Sequence, residues 1–155
     1  MVEDGRLDAR LMTEYPGIKG TYLNVQRDSL KTRPEIRSLP MREAMVEFLV
    51  RFSLQRYTTL QAPSSYADEA RKIARIAKRV IRPDATVEDV AEATLRIYAI
   101  LSQVPNERAD PEDWETMDID DEVDKQELDD DLDLLNLVAG MSGEAAPEDE
   151  QEYDP

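Results

Sequence analysis

Charge is distributed so unevenly along this chain that only part of it can collapse into a core. Residues 107–155 carry 21 Asp and Glu against two bases, Arg108 and Lys125, a net of −19. Residues 1–106 carry 17 bases against 14 acids, a net of +3, and the two parts sum to the −16 of the whole. Like charges at the density of the last third repel one another and oppose burial, so the hydrophobic nucleus is expected upstream of it. A mildly basic body joined to a strongly acidic tail is the charge pattern of an interaction protein.

Composition narrows the chemistry further. The chain has no Cys and no His. Thiol catalysis, disulfides and Cys-ligated metals are therefore excluded, and the commonest general base and metal ligand are missing. The five Gly match no phosphate-cradling spacing. Two Phe and one Trp make a thin aromatic supply, so a core has to rest on Ala, Val, Ile, Leu and Met. The first ten residues, MVEDGRLDAR, contain no apolar stretch of the kind a secretory signal needs. No apolar run approaches the length of a membrane span. The expected location is the cytoplasm, or the interior of a virion or other intracellular assembly. No cofactor and no metal is expected.

Periodicity places three helices in the middle of the chain. Residues 41–61 open after Pro40 and carry Met45, Phe48, Leu49 and Phe52 at helical spacing, with Val46, Val50, Leu54 and Tyr57 widening the stripe. Pro63 is expected to end this helix. Residues 65–82 follow, with Ser64 or Ser65 available as a cap and Asp68 and Glu69 in the first turn. Residues 86–104 form the third, where Thr86 and Asp89 have capping-box spacing. Val90, Thr94, Ile97, Leu101 and Val104 make its inner row, with Ala91 and Tyr98 beside it.

The flanks read differently. Residues 1–40 lack sustained periodicity, and Pro16-Gly17, Gly20, Pro34 and Pro40 break them. They are expected to form an extended basic arm, with Thr21–Gln26 strand-like in composition. Residues 106–155 are expected to be an acidic tail, beginning as a linker that holds Trp114. A weak helix is expected at 119–139, conditional on a partner or docking surface, because Asp is a poor helix former and local repulsion is large.

Candidate sites follow from these elements. The segment DDDLDLLNLV, residues 129–138, joins acids to an apolar row. Leu128, Leu132, Leu135 and Val138 are expected to anchor a helix in a partner groove while the Asp residues steer its approach, with Trp114 as a further anchor. The outer face of the second helix carries Arg71, Lys72, Arg75, Lys78, Arg79 and Arg82. These are candidates for contacts with phosphates or with the acidic tail itself. The third helix, however, opens with Glu88, Asp89 and Glu92, which does not suit a recognition helix facing DNA. Asp118, Asp120, Glu122 and Asp124 alternate like calcium ligands, but Val123 and Asp129 stand where a calcium loop needs Gly and Glu.

The fold class expected is all-α: an extended arm at 1–40, a three-helix bundle at 41–105 and an acidic tail at 106–155. The expected function is that of a non-enzymatic adaptor or assembly accessory, such as a viral or phage component, binding protein partners through arm and tail. A nucleic-acid-binding accessory factor autoinhibited by its tail is the alternative. Helix 41–61 is apolar enough to admit self-association.

Overall fold

Helix formation begins earlier in this protein, and the central helix stops sooner, than the periodicity predicts. The computed structural model describes residues 1–118 and Gly140. The chain divides into two units, Met1–Glu122 and Val123–Pro155. The conditional helix expected at 119–139 lies outside the described residues.

The described part is predominantly helical. It contains α1 (Val2–Glu14), α2 (Lys19–Lys31), α3 (Met41–Leu54), β1 (Thr59–Pro63), α4 (Ala67–Arg79), α5 (Val87–Gln103) and β2 (Trp114–Asp118). The all-α expectation therefore needs one amendment, a two-stranded antiparallel sheet. Its register runs from Thr59 opposite Asp118 to Pro63 opposite Trp114.

α3 is the hub. It buries Met41, Ala44, Met45, Glu47, Phe48, Leu49 and Phe52. Phe52 meets Phe48 at 5.6 Å and the ring of Tyr57 edge-on at 5.1 Å between centroids. The helix ends at Leu54, not at 61, because the chain turns left-handed there. Arg56 and Tyr57 have φ of 61° and 60°. The Tyr57 N–H donates to Phe52 O and the Arg56 N–H to Ser53 O, at 2.9 and 3.1 Å, which is the Schellman pattern that satisfies final carbonyls. The turn throws the chain into β1, whose Leu60 and Ala62 are each 1% exposed. Pro63 closes this strand and does not terminate a helix.

α4 and α5 lie where the sequence places them, within a few residues. α4 buries Ala67, Ala70, Ile73, Ala74, Ile76 and Ala77, and its four Ala let neighbours approach closely. Ser64 and Ser65 are not its cap. They belong to a 3-10 turn, and Ser64 Oγ instead donates to Glu115 Oε1 and Asp113 O at 2.7 and 3.1 Å, fastening β2 to the start of α4. α5 begins at the expected capping box: Thr86 N donates to Asp89 Oδ2 at 2.8 Å, and Asp89 N donates to Thr86 Oγ1 at 3.2 Å. At its far end Arg42 of α3 gathers the last carbonyls, donating to Val104 O at 2.7 Å and Ser102 O at 3.3 Å. A cation at a helix C-terminus suits both the free carbonyls and the dipole.

The extended arm expected at 1–40 is instead helical. A lone strand would leave its backbone groups without a ladder, whereas a helix satisfies them internally. α1 buries Gly5 and Arg6, and α2 buries no residue fully. Tyr22 Oη donates to Asp8, joining the two helices, with Gln26 Nε2 reaching Asp8 Oδ2 at 3.4 Å. The hydrogen bond to Asp8 pushes the Tyr22 hydroxyl up to about 12. Gly5 is where α1 meets the body: a Cβ there would overlap Tyr57 Oη and lie 2.7 Å from Ile81 Cδ1.

Candidate functional site

Three features of the described residues bear on function: the basic face of α4, the β2 strand that carries Trp114, and the outer face of α5.

On α4 the cations are not an open row. Arg71 pairs with Asp68 at 3.1 Å and also reaches Met117 Sδ on β2 at 3.0 Å. Arg82 lies beyond the helix end and pairs with Asp84 at 3.2 Å and Asp89 at 3.3 Å. Lys72, Lys78 and Arg79 each have a partner too. Arg75 is half-buried. Five of the six therefore lie on α4 and Arg82 lies just beyond it, and Arg71, Lys72, Lys78, Arg79 and Arg82 each have a partner.

Trp114 is the expected anchor that the structure places elsewhere. It is 8% exposed and opens β2 opposite Pro63, so the body absorbs it. Burying the indole ring there removes more apolar surface from water than exposure on a linker would. Its Nε1 has no hydrogen-bond partner among the described residues. Leu128, Leu132, Leu135 and Val138 lie outside the described residues, as do Asp120, Glu122 and Asp124. Among the described residues no cluster of acids is arranged to hold a metal ion.

Among the described residues buried charge occurs in two places, and both are structural clamps. Glu47 accepts from Arg33 through both carboxylate oxygens and from Arg51 at 3.3 Å, while Arg51 also donates to Pro34 O. This triad fastens the 33–35 segment to α3. The hydrogen bonds from Arg33 hold the Glu47 carboxyl below its ordinary value, against the opposing effect of burial. Arg6 donates to Glu3 at 2.6 and 2.8 Å and to Ala85 O at 3.1 Å, tying α1 to the loop before α5. A depression of about 460 Å³ beside Arg6, Arg10 and Val87 offers no free buried donor for a ligand, since the Arg6 guanidinium is already occupied. A second, of about 370 Å³ between α2 and the turn after α3, combines Leu23, Leu30 and Leu54 with Arg27 and Arg56, and has no nucleophile paired with a base.

The feature missed by sequence reasoning is on α5. Val87, Leu95 and Tyr98 are 60%, 57% and 60% exposed, and Ala91 is exposed between them. The signal was present: a second apolar row at 87, 91, 95 and 98, parallel to the inner row. It was hidden because Ala91 and Tyr98 read as flanking residues of a single stripe.

Comparison with known proteins supplies no relative: no family model, curated protein or solved structure matches the chain.

Proposed function

We propose that this protein is a non-enzymatic interaction or assembly accessory, an adaptor whose acidic segment engages a basic surface on a protein partner. The observation that carries this reading is where the charge falls relative to the fold. Residues 1–118 hold 18 bases against 20 acids, a net of −2. Residues 119–155 hold Lys125 against 15 acids, a net of −14. Most of the acid excess, though not its start at residue 107, thus lies beyond the end of β2. Such a segment attracts a positive surface before contact, and Leu128, Leu132, Leu135 and Val138 supply the apolar anchors that turn an encounter into a complex.

The nucleic-acid reading has weaker support. The cations of α4 that would meet phosphates are mostly paired already, so binding would first have to break those pairs.

The test compares the full chain with a Leu132→Asp, Leu135→Asp variant, each immobilised and exposed to extract from the native host at low and high salt. Retained proteins are quantified by mass spectrometry. A defined set should be held by the unmodified chain, lost on substitution and eluted by salt. Identical retention by both forms would rule the reading out. Salt-sensitive retention of a duplex oligonucleotide by both would favour the nucleic-acid alternative.

A further inference from the structure

α1 and α2 meet the rest of the body along a thin seam. No residue of α2 is fully buried, and in α1 only Gly5 and Arg6 are. Ala9, Met12, Leu23 and Leu30 are half-buried. Both depressions described above lie on this seam. The larger separates Arg10, Thr13 and Glu14 of α1 from Pro83, Asp84 and Val87. The smaller separates Leu23, Arg27 and Leu30 of α2 from Leu54, Arg56 and Thr59. A well-packed interior leaves no gaps of this size, so the seam gains little from apolar burial.

Two attachments bracket the helix pair. At one end Gly5 lies against Tyr57 and Ile81, and Arg6 Nη1 donates to Ala85 O at 3.1 Å. At the other, Arg33 is bound to Glu47, and Pro34 O accepts from Arg51. Thr32 alone stands between the last residue of α2 and Arg33. Tyr22 and Gln26 both donate to Asp8, which ties the two helices to each other rather than to the body.

We infer that α1 and α2 form a strap that opens as one piece, turning about Thr32 and leaving α3, α4, α5 and the sheet folded. The clip at Gly5 and Arg6 is the end that lets go. A hydrogen bond to a main-chain carbonyl exchanges readily for one to water, whereas moving α3 would expose its whole apolar face. The Glu47 triad holds the pivot in place while the strap swings. Segments with few buried apolar contacts are the ones that open first.

Opening uncovers the Tyr57 hydroxyl, the Ile81 side chain and the Ala85 carbonyl. The molecule then has two states that differ in the surface offered there, and a ligand that binds only one of them shifts the balance. The strap concerns residues 1–32, so it goes beyond the adaptor reading and does not depend on it.

The experiment follows amide hydrogen exchange of the full chain at urea concentrations below the unfolding transition. Amides of α1 and α2 should exchange through one shared opening, at least about tenfold more often than those of α3, α4 and α5. Their common urea dependence should be shallower than that of the other helices, because less surface is exposed. Arg6→Met keeps most of the side-chain stem and removes the donor. It should raise exchange about fivefold in α2 as well as in α1, and leave α4 and α5 unchanged. The response of α2 decides, because Arg6 lies on α1 and fraying confined to α1 would not reach it. Exchange of α1 and α2 through separate openings, or only with global unfolding, would overturn the proposal. So would α2 exchange in Arg6→Met that matches the unmodified chain, or a loss of protection shared equally by α4 and α5. Should that variant fail to fold, the urea series on the unmodified chain decides alone.

Discussion

α1 and α3 are nearly equal in length, at 13 and 14 residues, yet they are held by opposite means. α3 buries seven residues, six of them apolar or small, and its position follows from the area it removes from water. α1 buries two, a glycine and an arginine, and is held by the close approach at Gly5, a hydrogen bond from Arg6 to Ala85 O and one that Asp8 accepts from Tyr22. A helix secured by area tolerates the loss of any one polar contact. A helix secured by a few points is sensitive at each of them and nearly insensitive elsewhere.

Replacing Phe52 in α3 sets the upper end of this contrast. The ring is fully buried between Phe48 and Tyr57, so Phe52→Ala should cost about 3–5 kcal/mol and lower the whole denaturation curve, read by urea unfolding. If only α1 were lost, α3 would not be the hub.

Next comes Glu47, the one polar point in the α3 face. Glu47→Ala should cost about 2–3 kcal/mol, less than a fully severed buried pair because Arg33 and Arg51 keep some contact with water. The pH dependence has a definite sign. The folded carboxyl titrates below its ordinary value of 4.5, so its contribution is complete above that pH and is lost as pH falls through the depressed folded value. In Glu47→Gln the acid limb of the stability profile should flatten over that window. An unchanged limb would show that the triad is not linked to folding.

The smallest global effect is expected at Gly5. Gly5→Ala forces a methyl against Tyr57 and Ile81 and should cost about 1–3 kcal/mol, concentrated in α1. Hydrogen exchange should show α1 amides losing protection while those of α3, α4 and α5 keep theirs. Equal loss everywhere would mean that α1 is as integral as α3.

The same contrast explains what was legible in the sequence. α4 and α5 could be read because their ends carry chemical stops: Pro83 between them, the Thr86–Asp89 box, and Pro105 beyond. The α3 end was misplaced because its left-handed residues are Arg56 and Tyr57 rather than Gly, so no residue type marked the turn. β1 was hidden inside that overextended helix, and its partner β2 lies some fifty residues downstream, a pairing that local pattern does not encode. α1 and α2 were unreadable because little of their surface is buried, and burial is what writes periodicity into a sequence. On the candidate site, the charge partition and the α4 cations could be listed from sequence. Their pairing within the chain, the burial of Trp114 and the open row on α5 required the fold.

The placement of Trp114 has a practical consequence. As the sole indole in the chain, seated at the root of the acidic segment and shielded from solvent, it is a built-in fluorophore at the junction between body and tail. Its emission should sit toward the blue while β2 is zipped to β1 and shift to the red when that junction opens. Separation of β2 from β1 can therefore be followed optically without attaching a dye.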